Sequence, residues 1–91
     1  MDETIIDTCY YVADGDTFVT LKETWIRLAR VHAPAEGEKG YNAAKNRLSD
    51  LVLNKTIIYK QVGTSYNRIV AEVWHNDNNI NDSMILAGYS Q

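Results

Sequence analysis

A run of strands gives way to a helix within the stretch WIRLARVHAPAEGE, residues 25–38. Its first half alternates apolar and polar side chains, which predicts a strand over residues 25–31. Pro34 ends this strand because proline cannot donate a hydrogen bond to a sheet. The second half is an acidic loop that contains Gly37, and it separates the strands before it from the helix after it.

Two further strands are predicted before this stretch, over residues 4–12 and 16–22, and an Asp14-Gly15 turn joins them as a hairpin. After the stretch, residues 41–53 predict a helix with an apolar stripe. Residues 55–62 and 68–74 predict two more strands, with a loop over 63–67. A short helix capped by Asn79, Asn81 or Asp82 then closes the chain before Gly88.

This order predicts a mainly β fold with α: a five-stranded OB-type barrel with a helix between strands 3 and 4 and a short C-terminal helix. Closure into a barrel would leave no exposed strand edges, which a small chain tolerates poorly. An open α+β sheet with its helices on one side fits the same order. The pattern of elements alone favours the barrel only modestly over the open sheet.

The length of 91 residues predicts one domain, residues 1–91. The net charge of −3 and the pI near 5.2 lack the basic excess of a nonspecific duplex binder, so any contact with nucleic acid needs a local cluster of positive charge. Cys9 has no partner for an internal disulfide, and the N-terminal MDETIID lacks the apolar stretch of a signal peptide. We therefore expect a cytoplasmic location and no membrane partner, with export of a processed chain left as an alternative.

Taken singly, the polar candidates have ordinary structural interpretations. Asp14 and Asp16 are typical of a hairpin turn. Arg27 on an apolar strand, if it points inward, needs an anionic partner, and either aspartate would serve in a structural ion pair. Arg68 at the start of a strand is typical of a solvated surface residue. The aromatic side chains are expected in the core or barrel wall rather than in a base-stacking surface; they are Tyr10, Tyr11, Tyr59 and Trp74.

Taken together, the motifs of this chain resemble those of the staphylococcal nuclease-like (thermonuclease-like, OB-fold) domain family. The resemblance is carried, in the family's order and over nearly the whole chain, by VADGDTF at 12–18, IRLARVHAP at 26–34, YNRIVAEVW at 66–74 and INDSMILAGYS at 80–90. It implies a five-stranded OB barrel with a helix after the third strand. It also implies metal-assisted phosphodiester hydrolysis, usually with Ca²⁺, on nucleic acid.

The resemblance extends to several residues of the family's site. Arg27 and Arg68 match the two arginines that hold the phosphate, a task suited to the planar guanidinium fork. Asp16 matches the first metal carboxylate, and Asp14 matches the other acidic residue of the same turn. Asn67 stands where the family usually has glycine, and we expect it to adopt the positive φ of that turn.

Two positions depart from the family pattern. His32 stands where the family has its second metal-binding aspartate, and Ala35 stands where it has the glutamate assigned as general base. A neutral imidazole suits a transition metal better than calcium. Glu36 and Glu38 lie nearby on the same loop, and Glu36 is the candidate substitute base.

These residues lead to the hypothesis of a nuclease-like domain with a degenerate catalytic site, which binds phosphate or nucleic acid with weak or no hydrolysis. One alternative is an active phosphodiesterase whose rearranged metal site uses Asp16, His32 and Glu36. A third hypothesis is a protein-interaction module in which the barrel is only a scaffold.

Overall fold

The computed structural model describes residues 3–91, so Met1 and Asp2 of the acidic N-terminal stretch lie outside the described residues. Strands and helices follow one another in the order β1 (Ile5–Asp14), β2 (Thr17–Thr20), β3 (Trp25–Leu28), α1 (Tyr41–Val52), β4 (Thr56–Ser65), β5 (Arg68–His75), β6 (Asn78–Asn79) and α2 (Ile80–Leu86). None of the helices in residues 3–91 is both long and apolar enough to cross a membrane.

The sheet closes on itself, as the barrel prediction requires. Its strands lie in the order β3-β2-β1-β4-β5-β6, and a parallel pairing of β3 with β5 joins the two ends of the five-stranded part into a ring. Helix α1 lies between β3 and β4 in the chain, and α2 follows the last strand. The architecture is therefore mainly β with two helices and consistent with an OB-type fold, and the open-sheet alternative is wrong.

The core fills the inside of the ring and the space beneath the helices. Strand alternation directs Phe18, Ile26 and Leu28 inward, where each is fully buried. Helix α1 buries Ala44, Leu48 and Val52, which belong to the predicted apolar stripe, and α2 adds Ile80 and Met84. Burying large aliphatic and aromatic side chains stabilises a fold by about 1.5–3 kcal/mol each.

The ends of several elements differ from prediction. Strand β3 stops at Leu28 rather than residue 31, because Arg30 has a φ of 66°, which an extended strand cannot accommodate. Strand β4 continues to Ser65, so the predicted loop shrinks to the turn Tyr66-Asn67. Tyr66, not Asn67, adopts the positive φ of this turn, at 56°.

The predicted helix boundaries of α2 are confirmed. The side chain of Asn79 accepts a hydrogen bond from the Asp82 amide at 2.7 Å and caps the first turn. Gly88, with a φ of 104°, follows the helix and lets the chain turn away from it.

Candidate functional site

Arg27 and Arg68, the two arginines expected to hold phosphate, lie on neighbouring strands because of the register around the β3–β5 closure. Arg27 pairs with Thr17 of β2 on one side and with Val70 of β5 on the other. Cross-strand partners share a face, and Arg68 lies two residues before Val70, so it falls on that face too. This face is the outer face of the ring, because Ile26 and Leu28 point to the core. Arg27 therefore points outward and is partly buried, and the case of an inward-pointing Arg27 does not apply.

Asp16 is held in the turn that links β1 and β2. Its Oδ1 accepts a hydrogen bond from the Thr17 hydroxyl at 2.9 Å, and its Oδ2 accepts one from the Ala33 amide at 3.2 Å. The Asp14 carboxylate in turn accepts the Asp16 amide at 3.0 Å. The turn is thereby tied to the segment that follows β3, which is where His32 and Ala35 also lie.

Gly15 permits this close packing. A Cβ atom built on Gly15 would lie 2.6 Å from the Cβ of Ala44 in α1 and 2.7 Å from the Cβ of Ala33. Gly15 is not among the residues with positive φ. Glycine is therefore needed at position 15 because the turn approaches the helix closely, and not because of the hairpin preference of Asp-Gly. The Tyr41 hydroxyl donates to the Ala13 carbonyl at 2.8 Å and fastens the same turn to the start of α1.

Arg27 lies beside Asp16. One guanidinium nitrogen, Nη2, is 3.8 Å from Asp16 Oδ2 and donates a hydrogen bond to the Val31 carbonyl at 3.2 Å. The side chain is 16% exposed. Of the two aspartates predicted as possible ion-pair partners of Arg27, Asp16 is thus the one beside it. The remaining guanidinium donors make no hydrogen bond within residues 3–91.

Arg68 approaches the same point from β5. Its Nη1 donates to the Thr17 hydroxyl oxygen at 3.3 Å, a long hydrogen bond. Among residues 3–91, no carboxylate oxygen lies within 4.0 Å of this guanidinium. Thr17 therefore sits between the two arginines, bonded to Asp16 on the Arg27 side and to Arg68 on the other. Thr17 is not among the predicted site residues, because its position between the arginines depends on the β2–β3 register.

The two aspartates of the turn have opposite pKa shifts. Burial and a side-chain hydrogen bond to Asp16 raise the pKa of Asp14 from 3.8 to about 6, although the charge of Arg68 opposes this. Burial also acts to raise the pKa of Asp16, but the hydrogen bonds from Asp14, the Ala33 amide and Thr17, together with the charge of Arg27, outweigh it and lower that pKa. Below about pH 6, Asp14 thus keeps its proton while Asp16 carries the negative charge.

The residues at the two departing positions lie at the edge of this cluster. The His32 side chain is exposed and lines a shallow surface pocket of about 500 Å³ with Pro34, Glu38, Lys39, Gly88, Tyr89 and Ser90. Ala35 is exposed, and its amide donates to Glu38 Oε1 at 2.6 Å, so Glu38 is engaged in closing its own loop. Glu36 is exposed on that loop.

The donor set around Asp16 is poor for a hard cation. Within residues 3–91, no three or more His, Cys, Asp or Glu side chains gather in a group that could hold a metal ion. Calcium takes six to eight oxygen ligands, and the turn supplies only the carboxylates of Asp14 and Asp16. The described side chains therefore do not fit the calcium site that the resemblance implies.

A second polar network supports the site from behind and was not predicted. Asn81, fully buried, donates to the carbonyls of Ala29 and Ala71 at 2.9 and 3.0 Å and accepts from the Val73 amide at 2.9 Å. It bonds the end of the β3 segment to β5 where the ring closes. Asn81 was predicted only as a possible helix cap, because the local sequence pattern does not show that an amide side chain will be buried.

Comparison with known proteins bears on the same residues. The family model described as staphylococcal nuclease homologue matches residues 25–91. This chain belongs to the staphylococcal nuclease family. The matched range of the family model includes both arginines, whereas the turn with Asp14 and Asp16 precedes it.

The match to one curated relative includes that turn as well as both arginines. A protein of Haemophilus influenzae (strain ATCC 51907 / DSM 11121 / KW20 / Rd) is named "Uncharacterized endonuclease". It is 35% identical over an alignment of 89 residues, and the match covers 90% of this chain. The match covers 50% of the relative, so this nuclease-family chain spans about half the length of the curated relative.

Proposed function

We propose that this domain binds the phosphodiester backbone of nucleic acid through Arg27 and Arg68, with weak or no hydrolysis. The single observation that carries the proposal is the position of Arg27 and Arg68 on the outer face of the ring, on either side of Thr17. Arg68 bonds to the Thr17 hydroxyl, and Arg27 lies beside the Asp16 carboxylate that accepts from this hydroxyl. Family membership and the endonuclease name of the relative support nucleic acid as the ligand.

The charge balance of the cluster favours an anion. Two guanidinium charges face one ionised carboxylate, Asp16, as long as Asp14 keeps its proton. Within residues 3–91, Arg68 donates only one long hydrogen bond, to Thr17. Its other donors, in the rigid fork of a guanidinium, suit two oxygens of one phosphate. This local excess of positive charge is present below about pH 6, and above that pH the attraction depends on the directed guanidinium donors.

Weak hydrolysis follows from the side chains that would activate water. Ala35 cannot accept a proton, and the loss of a general base typically lowers the rate by about 10²–10⁴-fold. Glu38 is bonded to the Ala35 amide. Glu36 is the exposed carboxylate left on that loop, and with Asp16 and His32 it defines the rearranged site of the alternative in which hydrolysis persists.

Binding is tested by titrating a nucleoside 3′,5′-bisphosphate and a single-stranded oligonucleotide while amide chemical shifts are followed. We expect the largest shifts at Arg27, Arg68 and Thr17. Arg68→Ala should weaken binding, whereas Arg47→Ala, which removes an exposed arginine of α1, should not. The absence of shifts near both site arginines at millimolar ligand would refute the proposal.

Hydrolysis is tested by restoring carboxylates at the two departing positions. Activity on single-stranded DNA is measured with calcium, manganese or zinc for the natural chain and for a His32→Asp, Ala35→Glu double variant. We expect the double variant to gain at least about 100-fold with calcium, the lower range for one general base. Substantial activity of the natural chain that disappears in Glu36→Gln would instead establish the rearranged phosphodiesterase.

A further inference from the structure

A row of aromatic side chains lies next to the arginine cluster on the same outer face. Tyr11 of β1 pairs with Val19 of β2, and Val19 pairs with Trp25 of β3. The row therefore runs Tyr11–Val19–Trp25 across three strands, and all three side chains share the face of Thr17 and Arg27. Tyr11 is 48% exposed and Trp25 is 46% exposed, so Tyr11 lies on the outside of the barrel wall and not in the core.

The aromatic row and the arginine cluster are adjacent and parallel. Trp25 lies two residues before Arg27 on β3, and Val19 lies two residues after Thr17 on β2, so the rows are about 7 Å apart along the strands. A single nucleic acid strand presents an anionic phosphate and an apolar, planar base at a similar spacing. The outer face thus offers donors for the phosphate in one row and stacking surfaces for the base in the next.

We propose that Tyr11 and Trp25 form a base-stacking platform, which makes single-stranded nucleic acid the ligand of the arginine site. This inference rests on the proposed function, because the phosphate contacts set where the bases lie. Stacking explains why two large aromatic side chains remain nearly half exposed in one row beside a cationic cluster. Bases paired in a duplex stack on each other, and their faces are not accessible to these rings.

Loss of a base contact should weaken binding only of a ligand that has bases, whereas loss of a phosphate contact should weaken binding of any oligomer with the same backbone. Fluorescently labelled oligothymidylate and an abasic oligomer of equal length and charge are titrated into the natural chain and four variants. Trp25→Leu and Tyr11→Leu remove an aromatic face but keep an apolar side chain. Arg27→Ala tests the phosphate contact, and Leu86→Ala is the control for loss of an exposed apolar side chain, because Leu86 is 88% exposed on α2.

We expect each aromatic variant to lose about 5- to 150-fold in affinity for oligothymidylate, the range for removal of one stacking side chain, and to keep its affinity for the abasic oligomer. Arg27→Ala should lose affinity for both ligands. If the aromatic variants bind oligothymidylate like the natural chain while Arg27→Ala does not, the platform is refuted and the phosphate site stands. If Arg27→Ala also binds both ligands normally, the proposed function fails as well.

A second readout does not depend on how the aromatic variants fold. In a Trp74→Phe background Trp25 is the sole tryptophan of the chain. Saturation with oligothymidylate should quench its fluorescence because a base stacks on the indole, and saturation with the abasic oligomer should not. Equal fluorescence changes with the two bound ligands would overturn the platform.

Discussion

Replacement of Asp14 by asparagine should stabilise the domain at neutral pH and leave it unchanged in acid. Asp14 is a half-buried carboxyl whose pKa is raised from 3.8 to about 6 by burial and by its hydrogen bond to Asp16. Between these two pH values the folded chain keeps a proton that the unfolded chain has lost. The free energy of unfolding therefore falls as the pH rises from about 4 to about 6, and the penalty is complete above that.

The size of the penalty follows from the shift. At 1.36 kcal/mol per pKa unit, a rise from 3.8 to about 6 corresponds to about 3 kcal/mol. Part of this free energy is shared with Asp16, whose pKa is lowered by the same hydrogen bond and whose stabilising effect is lost only as the pH falls below its ordinary value. We therefore expect Asp14→Asn to raise the free energy of unfolding by about 1–2 kcal/mol at pH 7.5.

The asparagine keeps the local geometry. Its carbonyl oxygen can accept the Asp16 amide as Asp14 Oδ1 does, and its amide can donate to the Asp16 carboxylate. Urea unfolding followed by tryptophan fluorescence at pH values from 4 to 8 measures the effect, with Asp50→Asn, an exposed carboxylate on α1, as the matched control. A stability difference for Asp14→Asn that is the same at pH 4.5 and 7.5 would refute the reasoning.

Ionisation of Asp14 should also change the affinity of the domain for its ligand. Ionisation of Asp14 adds a negative charge close to Arg68 and cancels the local positive excess. Affinity for an oligonucleotide, whose internal phosphates do not titrate in this range, should therefore decline as the pH rises through about 6. In Asp14→Asn this decline should be absent. An unchanged pH profile in the variant would show that Asp14 does not govern the charge of the site.

Three further predictions concern the framework of the site. Gly15→Ala should lower the free energy of unfolding by about 1–3 kcal/mol, because its Cβ would lie 2.6 Å from that of Ala44, whereas Gly63→Ala, with its nearest neighbour at 4.0 Å, should cost less in thermal unfolding. Asn81→Ala should cost about 3 kcal/mol or more by leaving buried backbone groups unpaired, and Asn81→Asp should not restore stability because a carboxylate cannot donate. Cys9, fully buried and with its pKa raised to about 11 by burial, should react with a thiol reagent at the rate of unfolding, and rapid reaction of the native protein would contradict this.

The order of strands and helices could be predicted from the sequence because each element has the hydrophobic period of a strand or a helix. The closure of the ring was not, because the parallel pairing of Ile26 with Ile69 joins residues far apart in the chain. Local pattern favoured the barrel only weakly over an open sheet, and the ordered motifs of the family resemblance supplied the difference. The error at residue 31 has a local cause, since the apolar alternation continues past Arg30 although the backbone there leaves the extended region.

The candidate site was predictable as a set of residue types and less so as an arrangement. The motifs named Arg27, Arg68 and Asp16, and the structure brings these three together. They did not reveal that Thr17 links the two sides of the cluster, because its role depends on the β2–β3 register. Tyr11 was expected in the core or barrel wall. Whether an aromatic residue on a strand is exposed depends on what packs over that face of the sheet, and strand periodicity does not show this.

The presence of Asp16 without a complete set of metal carboxylates has a structural explanation. Its two oxygens accept the Thr17 hydroxyl and the Ala33 amide and face Arg27, so this one side chain joins the β1–β2 turn, the segment after β3 and the phosphate face. Removing it would leave the buried Ala33 amide without its acceptor and Arg27 without its anionic neighbour, which costs stability whether or not a metal binds. Asp16 therefore has a structural role in this domain. Positions 32 and 35 lie on the exposed side of the segment, and their side chains make none of these contacts.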